Sequence, residues 1–428
     1  MKSTKIALGL SVLMIMLIPG ILLGSFARQH EWWGGPGVAG PVTYWSNKFS
    51  TQEHAAWDAR PGELLLGVSS TPHTVTTILN GSNYAYPADI DGDNDLDIVG
   101  SDWFNTPYRV LWFENDGSGG GWDVHTVKQN YFVWCTYPAD VDADGDNDIV
   151  GSHRSASSSE IVWWRNEDGI GETWTFFYVQ YEFTSNFVCC ADIDGDDTLE
   201  VVSTTWVDPN QIAWWEASSY PPDSSWIKHV VTGGIDRGRE IVPIDLDLDG
   251  DVDIVSADED QYGLKWYENV DGQGLSWSEH GIGGYHDLSY ATRVADIDGD
   301  GDNDVVYCNE DMNEASWFEN LDGSCLIWEE HVITADLNYP NRVASEDLTE
   351  DGLTDVVTTG EGGMYLFRNM YGDGLQWAKY KICNGSSNVH TADIDDDGSL
   401  DVISSASNIL WHELTGHTSG WLQSSIFD

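Results

Sequence analysis

An all-β chain folded as seven four-stranded antiparallel blades is what this sequence predicts, and three observations predict it. A nine-residue acidic pattern, Asp-x-Asp-x-Asp-Gly-x-x-Asp, opens at Asp89, Asp140, Asp192, Asp245, Asp296, Asp347 and Asp393, with successive copies 51, 52, 53, 51, 51 and 46 residues apart. A period of that length marks a blade or a solenoid repeat. Each copy holds four short pieces rich in β-branched and aromatic residues, separated by turn residues, and none shows helical periodicity. Closed radially, seven such blades form a β-propeller, which leaves only short protected sheet edges.

The strands follow in a fixed order. The first leads into the acidic loop, as in Thr292-Arg293-Val294-Ala295. The second leaves the loop as an apolar run: Ile98-Val99, Ile149-Val150, Val201-Val202, Ile254-Val255, Val305-Val306, Val356-Val357 and Val402-Ile403. An aromatic signature identifies the third, from Trp112-Phe113-Glu114-Asn115 through Trp163-Trp164-Arg165-Asn166, Trp214-Trp215-Glu216, Trp266-Tyr267-Glu268-Asn269 and Trp317-Phe318-Glu319-Asn320 to the weaker Leu366-Phe367-Arg368-Asn369 and Trp411-His412-Glu413. The fourth opens with Trp122, Trp174, Trp226, Trp277, Trp328, Trp377 and Trp421, after Gly-rich turns such as Asp271-Gly272-Gln273-Gly274. Each acidic loop therefore joins the innermost strand of a blade to its second.

Ahead of the repeats, Lys2 and Lys5 precede an apolar run from Ile6 to Leu23, and Ser25-Phe26-Ala27 offers a small-x-small cleavage site. Residues 1–27 read as an export signal, with an uncleaved N-terminal anchor as the alternative. Residues 28–70 read as a linker or N-terminal cap and 71–428 as the propeller. Within and just after the cap, Tyr44-Trp45-Ser46-Asn47 echoes the third strand and Pro72-His73-Thr74-Val75 the fourth, so half a blade is available to pack against blade 7 and close the ring.

The acidic loops carry the clearest chemistry. Carboxylates at alternate positions of a tight loop turn inward and surround a hard cation with oxygen, which suits calcium better than magnesium with its strict octahedron. The expected ligands are Asp89, Asp91, Asp93 and Asp97; Asp140, Asp142, Asp144 and Asp148; Asp192, Asp194, Asp196 and Glu200; Asp245, Asp247, Asp249 and Asp253; Asp296, Asp298, Asp300 and Asp304; Asp347, Thr349, Asp351 and Asp355; and Asp393, Asp395, Asp397 and Asp401. Up to seven calcium ions follow, one per blade. The third loop, with Asp197 at the Gly position and Glu200 at its end, and the sixth, with Thr349, are expected to bind more weakly. Asn94 replaces the Gly of the first loop more mildly, because Asn tolerates a left-handed backbone.

Composition narrows the partners. Net charge is −54, and 34 of the 72 acidic residues lie inside the seven loops. Even with the loops filled the chain stays acidic, which argues against nucleic acid or an anionic membrane, since phosphate binding needs clustered Lys and Arg. Export and calcium chemistry together point to a secreted or cell-surface protein. Six Cys suit that compartment, and Cys135, which shares a repeat position with Cys189 and Cys190, is expected to bond to one of them.

These loops and strands resemble the FG-GAP/VCBS repeat family, whose members include the propeller heads of integrin α subunits, over about residues 84–428. The Trp-x-Glu-Asn variant is closer to microbial secreted members than to the Phe-Gly and Gly-Ala-Pro signatures that name the family. The resemblance implies a calcium-stiffened extracellular scaffold used in adhesion and ligand binding. It also embraces some polysaccharide lyases and carbohydrate dehydratases, so the fold does not settle function.

Enzyme motifs are sparse. No Gly-x-Ser-x-Gly elbow or phosphate loop occurs, and His412-Glu413-Leu414-Thr415-Gly416-His417 has one residue too many for two His to share a helical zinc face. His125, His229, His280 and His331 share one repeat position, with His73 as an echo, and read as packing residues, as do the periodic Trp. Departures from the repeat are better ligand candidates: Tyr86, Trp134, Asn186, Arg239, Arg293, Arg342 and His390, at the inner-strand ends that border the central channel. Three Arg on one rim would gather a carboxylated or sulfated ligand, unless each is paired with a local Asp. The leading expectation is a non-catalytic adhesion or recognition module for an extracellular protein or polysaccharide. The alternatives are a lyase acting on acidic polysaccharide and a self-assembling surface protein.

Overall fold

The computed structural model describes residues 68–415, apart from positions 80, 83, 103–105, 155–158, 207–209, 220–221, 223–224, 236, 259–262 and 285–288. The expected export signal, the Tyr44–Asn47 echo, His417 and the strand expected at Trp421 lie outside the described residues. Seven four-stranded sheets account for every strand described. In blade 1 the chain runs through Ala85–Ala88, Asp97–Asp102, Arg109–Asn115 and Trp122–Gln129, each strand antiparallel to the next. Blades 2 to 6 repeat this order, and the inner strands of neighbouring blades touch all the way round, so the fold is a seven-bladed β-propeller with no helix among the described residues.

Blade 7 is closed differently from its expected outer strand at Trp421. Its inner three strands are Asn388–Ala392, Asp401–Ser405 and Ile409–Thr415, and its outer strand is Ser69–Thr76, paired antiparallel with Ile409–Thr415. The echo at Pro72–Val75 therefore completes a blade whose other strands come from the far end of the described chain. His73 stacks on Trp411 at 4.0 Å between ring centroids, the same pair that recurs within other blades.

The second strand of each blade is buried along its length because neighbouring blades cover both of its faces, which is why it reads as an unbroken apolar run rather than an alternation. Between blades, the first Trp of the third strand's aromatic signature joins one blade to the next. The indole N–H of Trp112 donates to the Gly171 carbonyl of the next blade, and that same carbonyl accepts from Trp174 of its own blade, at 3.2 and 2.7 Å. Trp214 with Trp277 on Gly274, Trp317 with Trp377 on Gly374, and Trp411 with Trp122 on Gly119 repeat the double contact. A Cβ on Gly274, at φ +65°, would come within 2.7 Å of the Trp214 ring, so the turn needs glycine both for its left-handed backbone and for the indole that lies against it.

The repeated His are packing residues. His125, His229, His280 and His331 stack on Trp112, Trp214, Trp266 and Trp317, their direct cross-strand partners, with centroids 4.1 to 4.7 Å apart. Each also meets the Glu of its blade, Glu114, Glu216, Glu268 or Glu319, at 2.6 to 3.2 Å. His412 lies in a strand, buried against Ser404, so the zinc-helix reading has no helix to stand on. The expected disulfide is corrected: all six Cys are free, and the Cys135 thiol faces the Val188 carbonyl.

Candidate functional site

Every acidic loop is built the same way from its first carboxylate outward. Asp296 accepts the Gly299 and Gly301 amides on its two oxygens at 2.7 and 3.1 Å, while Asp298 and Asp300 each accept the amide two residues on. These short-range bonds wind the chain so tightly that two positions take a left-handed backbone. The sixth is Gly in five loops, and Asn94 and Asp197 adopt the same conformation at φ 74° and 68°. The fourth is left-handed as well, even as Leu248, Glu350 and Asp396, a demand not visible in the sequence pattern.

The ninth carboxylate roots the loop. Asp304 accepts the Ile297 amide on one oxygen and the Asn320 amide of the third strand on the other, both at 2.9 Å, and Asp97, Asp148 and Asp253 repeat the arrangement. Burial pushes the Asp97, Asp253, Asp304, Asp355 and Asp401 carboxyls up to about 7, and Asp148 and Glu200 up to about 8. Carboxylates held this way want a counter-charge. Oxygens of Asp89, Asp91 and Asp97 converge within 4.8 Å, as do those of Asp140, Asp142 and Asp144, of Asp192, Asp194 and Glu200, and of Asp245, Asp247 and Asp249. Buried oxygens of Asp142, Asp194, Glu200, Asp245 and Asp395 have no partner within the protein. An all-oxygen anionic donor set with orphaned buried atoms fits a hard divalent cation.

The third-strand Asn, part of the aromatic signature, fastens this root to the preceding blade. Asn269 donates to Ile193 O of the preceding loop and to Val252 O at 2.9 and 3.2 Å, and accepts the Gly274 amide at 2.9 Å. Asn115, Asn166 and Asn369 reach the equivalent carbonyls of Ile394, Ile90 and Ile297.

The seven channel candidates do not share one rim. Tyr86, Arg293 and His390 lie three residues before their loops and Arg342 five before, and these four meet on the axis. The ring of His390 lies 4.1 Å from that of Tyr86, which also contacts Tyr137. Arg342 crosses from blade 6 to blade 1 to donate to the Tyr84 hydroxyl at 2.8 Å, and Arg293 pairs with Glu240 of the preceding blade at 2.7 Å. Thus Arg293 is paired with a Glu on another blade rather than with a local Asp. Trp134, Asn186 and Arg239 turn elsewhere. Trp134 packs against the apolar core, Asn186 donates to Gly238 O, and Arg239 stacks over Trp206 at 4.4 Å. Asn186 and Arg239 sit in β-bulges, where pairing slips between Ser185 and Phe187 and between Gly238 and Ile241. A bulge re-aims a side chain in a way no repeat alignment foretells.

The axial side chains are buried at one level and partly exposed at the levels nearer the loops. Five residues before the loops, Tyr84, Cys135, Phe187, Glu240, Ala291 and Asn388 are all buried. One residue before the loops, Ala88, Ala139, Ala191, Ala295 and Ala392 alternate with only two larger side chains, Ile244 and the exposed Glu346. These small side chains form the loop-side mouth of the axis, the axial well, next to Arg293, Tyr137 and His390, which are half-buried. The Arg293 side chain keeps 22% of its surface exposed there. Burial, reinforced by the Arg293 and Arg342 charges, holds His390 well below its usual range, and its Nε2 is unpartnered. Arg342 Nε and Glu240 Oε2 also have no partner.

Comparison with known proteins agrees with this architecture. The FG-GAP-like repeat matches residues 89–151, 140–203, 245–307 and 347–404, more than half of the chain. A solved structure with the same fold belongs to a lectin of Agrocybe aegerita, whose specific recognition of non-reducing terminal N-acetylglucosamine it describes. The match has a TM-score of 0.50 at 18% identity and covers 80% of this chain and 87% of that one. No curated protein sequence matches. With four matched repeats set in seven blades of one build, the chain belongs to the FG-GAP-like repeat family.

Proposed function

We propose that this chain is an exported, calcium-loaded recognition propeller without a reaction of its own, and that its axial well takes a carboxylated sugar. The observation that carries the ligand class is the pair of guanidinium groups on the axis, Arg293, bonded to the buried Glu240, and Arg342, bonded to the Tyr84 hydroxyl, in a chain of net charge −54. A planar guanidinium matches a carboxylate in two bonds, and the half-buried Tyr137 offers a ring face to a sugar. Glu346, exposed at the rim, is positioned for ring hydroxyls. A uronate unit combines those features. The lectin among the similar folds supports sugar recognition as a use of such a scaffold.

Calcium supplies the counter-charge that lets the four-carboxylate loops hold their acidic groups together, and so stiffens the blades around the well. The ligands are the loop carboxylates already named. Titration calorimetry of the calcium-loaded protein against oligouronates and neutral oligosaccharides is the direct test. Saturable heat with oligouronates alone, lost in Arg293→Gln and Arg342→Gln, is expected. Equal heat with neutral sugars, or unchanged heat in both variants, would sink the ligand assignment. A second reading has one observation in its favour: His390, held neutral beside Tyr86 and the charges of Arg293 and Arg342, is the arrangement a uronate lyase needs for its base. Growth of unsaturated-uronide absorbance, abolished in His390→Gln, would promote that reading over simple recognition.

A further inference from the structure

The blades differ beside their loops in a way that sorts them. In blades 1, 3, 4, 5 and 7 the third strand places a Glu next to the loop, namely Glu114, Glu216, Glu268, Glu319 and Glu413, each facing a His. Those Glu add negative charge beside the second loop carboxylate, Asp91, Asp194, Asp247, Asp298 or Asp395. Blades 2 and 6 instead carry Arg165 and Arg368, with Phe177 and Tyr380 in place of the His.

The two Arg behave differently. Arg165 spends its Nε and Nη2 on Glu167 and stays 3.9 Å from Asp142, so the second loop keeps four carboxylates and an orphaned Asp142 oxygen. Arg368 reaches into its own loop. Its Nε and Nη2 donate to Asp351 Oδ2 at 3.2 and 2.8 Å, with the two side chains 14% and 11% exposed. The other Asp351 oxygen accepts the Leu353 amide, and both Asp347 oxygens accept backbone amides from Asp351 and Gly352. Thr349 stands where the other loops have Asp, so the loop lacks that carboxylate; the Thr349 hydroxyl and one Asp355 oxygen are buried without a partner. Over the whole nine residues, loop 6 with Arg368 carries a net charge of −3 from Asp347, Glu350, Asp351 and Asp355, whereas loop 5 with Glu319 carries −6 from Asp296, Asp298, Asp300, Asp302, Asp304 and that Glu. Calcium affinity in such loops follows ligand charge and number.

We propose that the sixth loop takes no calcium, because the Arg368 guanidinium is its resident cation, so that the chain holds six ions rather than seven. The proposal rests on the calcium reading of the other loops only for its ion count. Metal analysis and native mass spectrometry of the full chain at saturating calcium are expected to give six ions in the wild type, five in Asp298→Ala, and seven in Thr349→Asp/Arg368→Glu, which restores the pattern of the five Glu blades. Hydrogen exchange locates the difference: calcium slows exchange over 296–304 and leaves 347–355 unchanged. In chelator, Arg368→Gln speeds exchange over 347–355 while the wild type keeps it protected. Seven ions in the wild type, calcium-dependent protection of 347–355, or no change on Arg368→Gln in chelator each overturn the proposal. Absence of ions from every loop would instead refute the calcium reading, and the chelator comparison would still decide the role of Arg368.

Discussion

Replacing Asn269 by Ala tests how the ring is held together. Its side chain, 1% exposed, makes three buried bonds: to Ile193 O in blade 3, to Val252 O, and from the Gly274 amide. Ala leaves all three partners buried and unpaired in a dry interface. At about 1 to 1.5 kcal/mol for each, the loss comes to roughly 3 to 5 kcal/mol. Blade 5 supplies an internal control. Asn320 donates there to the Cys325 sulfur at 3.2 Å, and it is that thiol which reaches Leu246 O at 3.4 Å. Sulfur is a weak partner, so Asn320→Ala should cost only about 1 to 2 kcal/mol. Urea unfolding followed by tryptophan fluorescence, at fixed saturating calcium, measures both variants. An Asn269→Ala loss below about 1 kcal/mol, or equal losses in the two variants, would show that the clamp is not what joins these blades.

Three further outcomes are expected. Chelation should lower the melting temperature and Asp298→Ala should do so in part, since that residue serves one loop; a melt unaffected by chelator would remove the structural role of the loops. His412, fully buried, is pushed down to about 4 by burial and by the nearby His73. The folded state therefore binds fewer protons than the unfolded state below pH 6.5, so stability is full above that pH and falls between pH 6.5 and 4 by about 3 kcal/mol. Urea midpoints at pH 7 and 4.5 that do not differ more in the wild type than in His412→Gln would contradict this. Deleting the chain up to Thr76 should uncover Ile409–Thr415 and Trp411, giving dimers or aggregates by light scattering, whereas a stable monomer would show that the ring closes without that strand.

Residues whose role is local were legible. An Asp at every second position, a Gly at the sixth, and an apolar pair after the ninth fix a loop and the strand that follows it whatever surrounds them, because the bonds run two to five residues along the chain. The Trp and His periodicity likewise announced packing, since a residue that recurs once per blade meets the same neighbour in each. The channel candidates were less legible. Selecting residues that break the repeat found Tyr86, Arg293, Arg342 and His390, but it also gathered Trp134, Asn186 and Arg239, whose directions depend on bulges and on side chains from other strands.

The sequence by itself determined the number of blades, the order of strands within each, and the loops that hold carboxylates together, because each is written in short-range spacing repeated seven times. Only the tertiary structure decided which strand closes blade 7, which carbonyl each Trp and Asn reaches, and which Arg stand on the axis. Those contacts join residues 52 to 346 positions apart, and such distances become contacts only once seven twisted sheets have closed on one another. Loop 6 stands between the two: its missing Asp was visible in the chain, but the guanidinium that replaces the missing charge became visible only when the third strand was laid beside the loop.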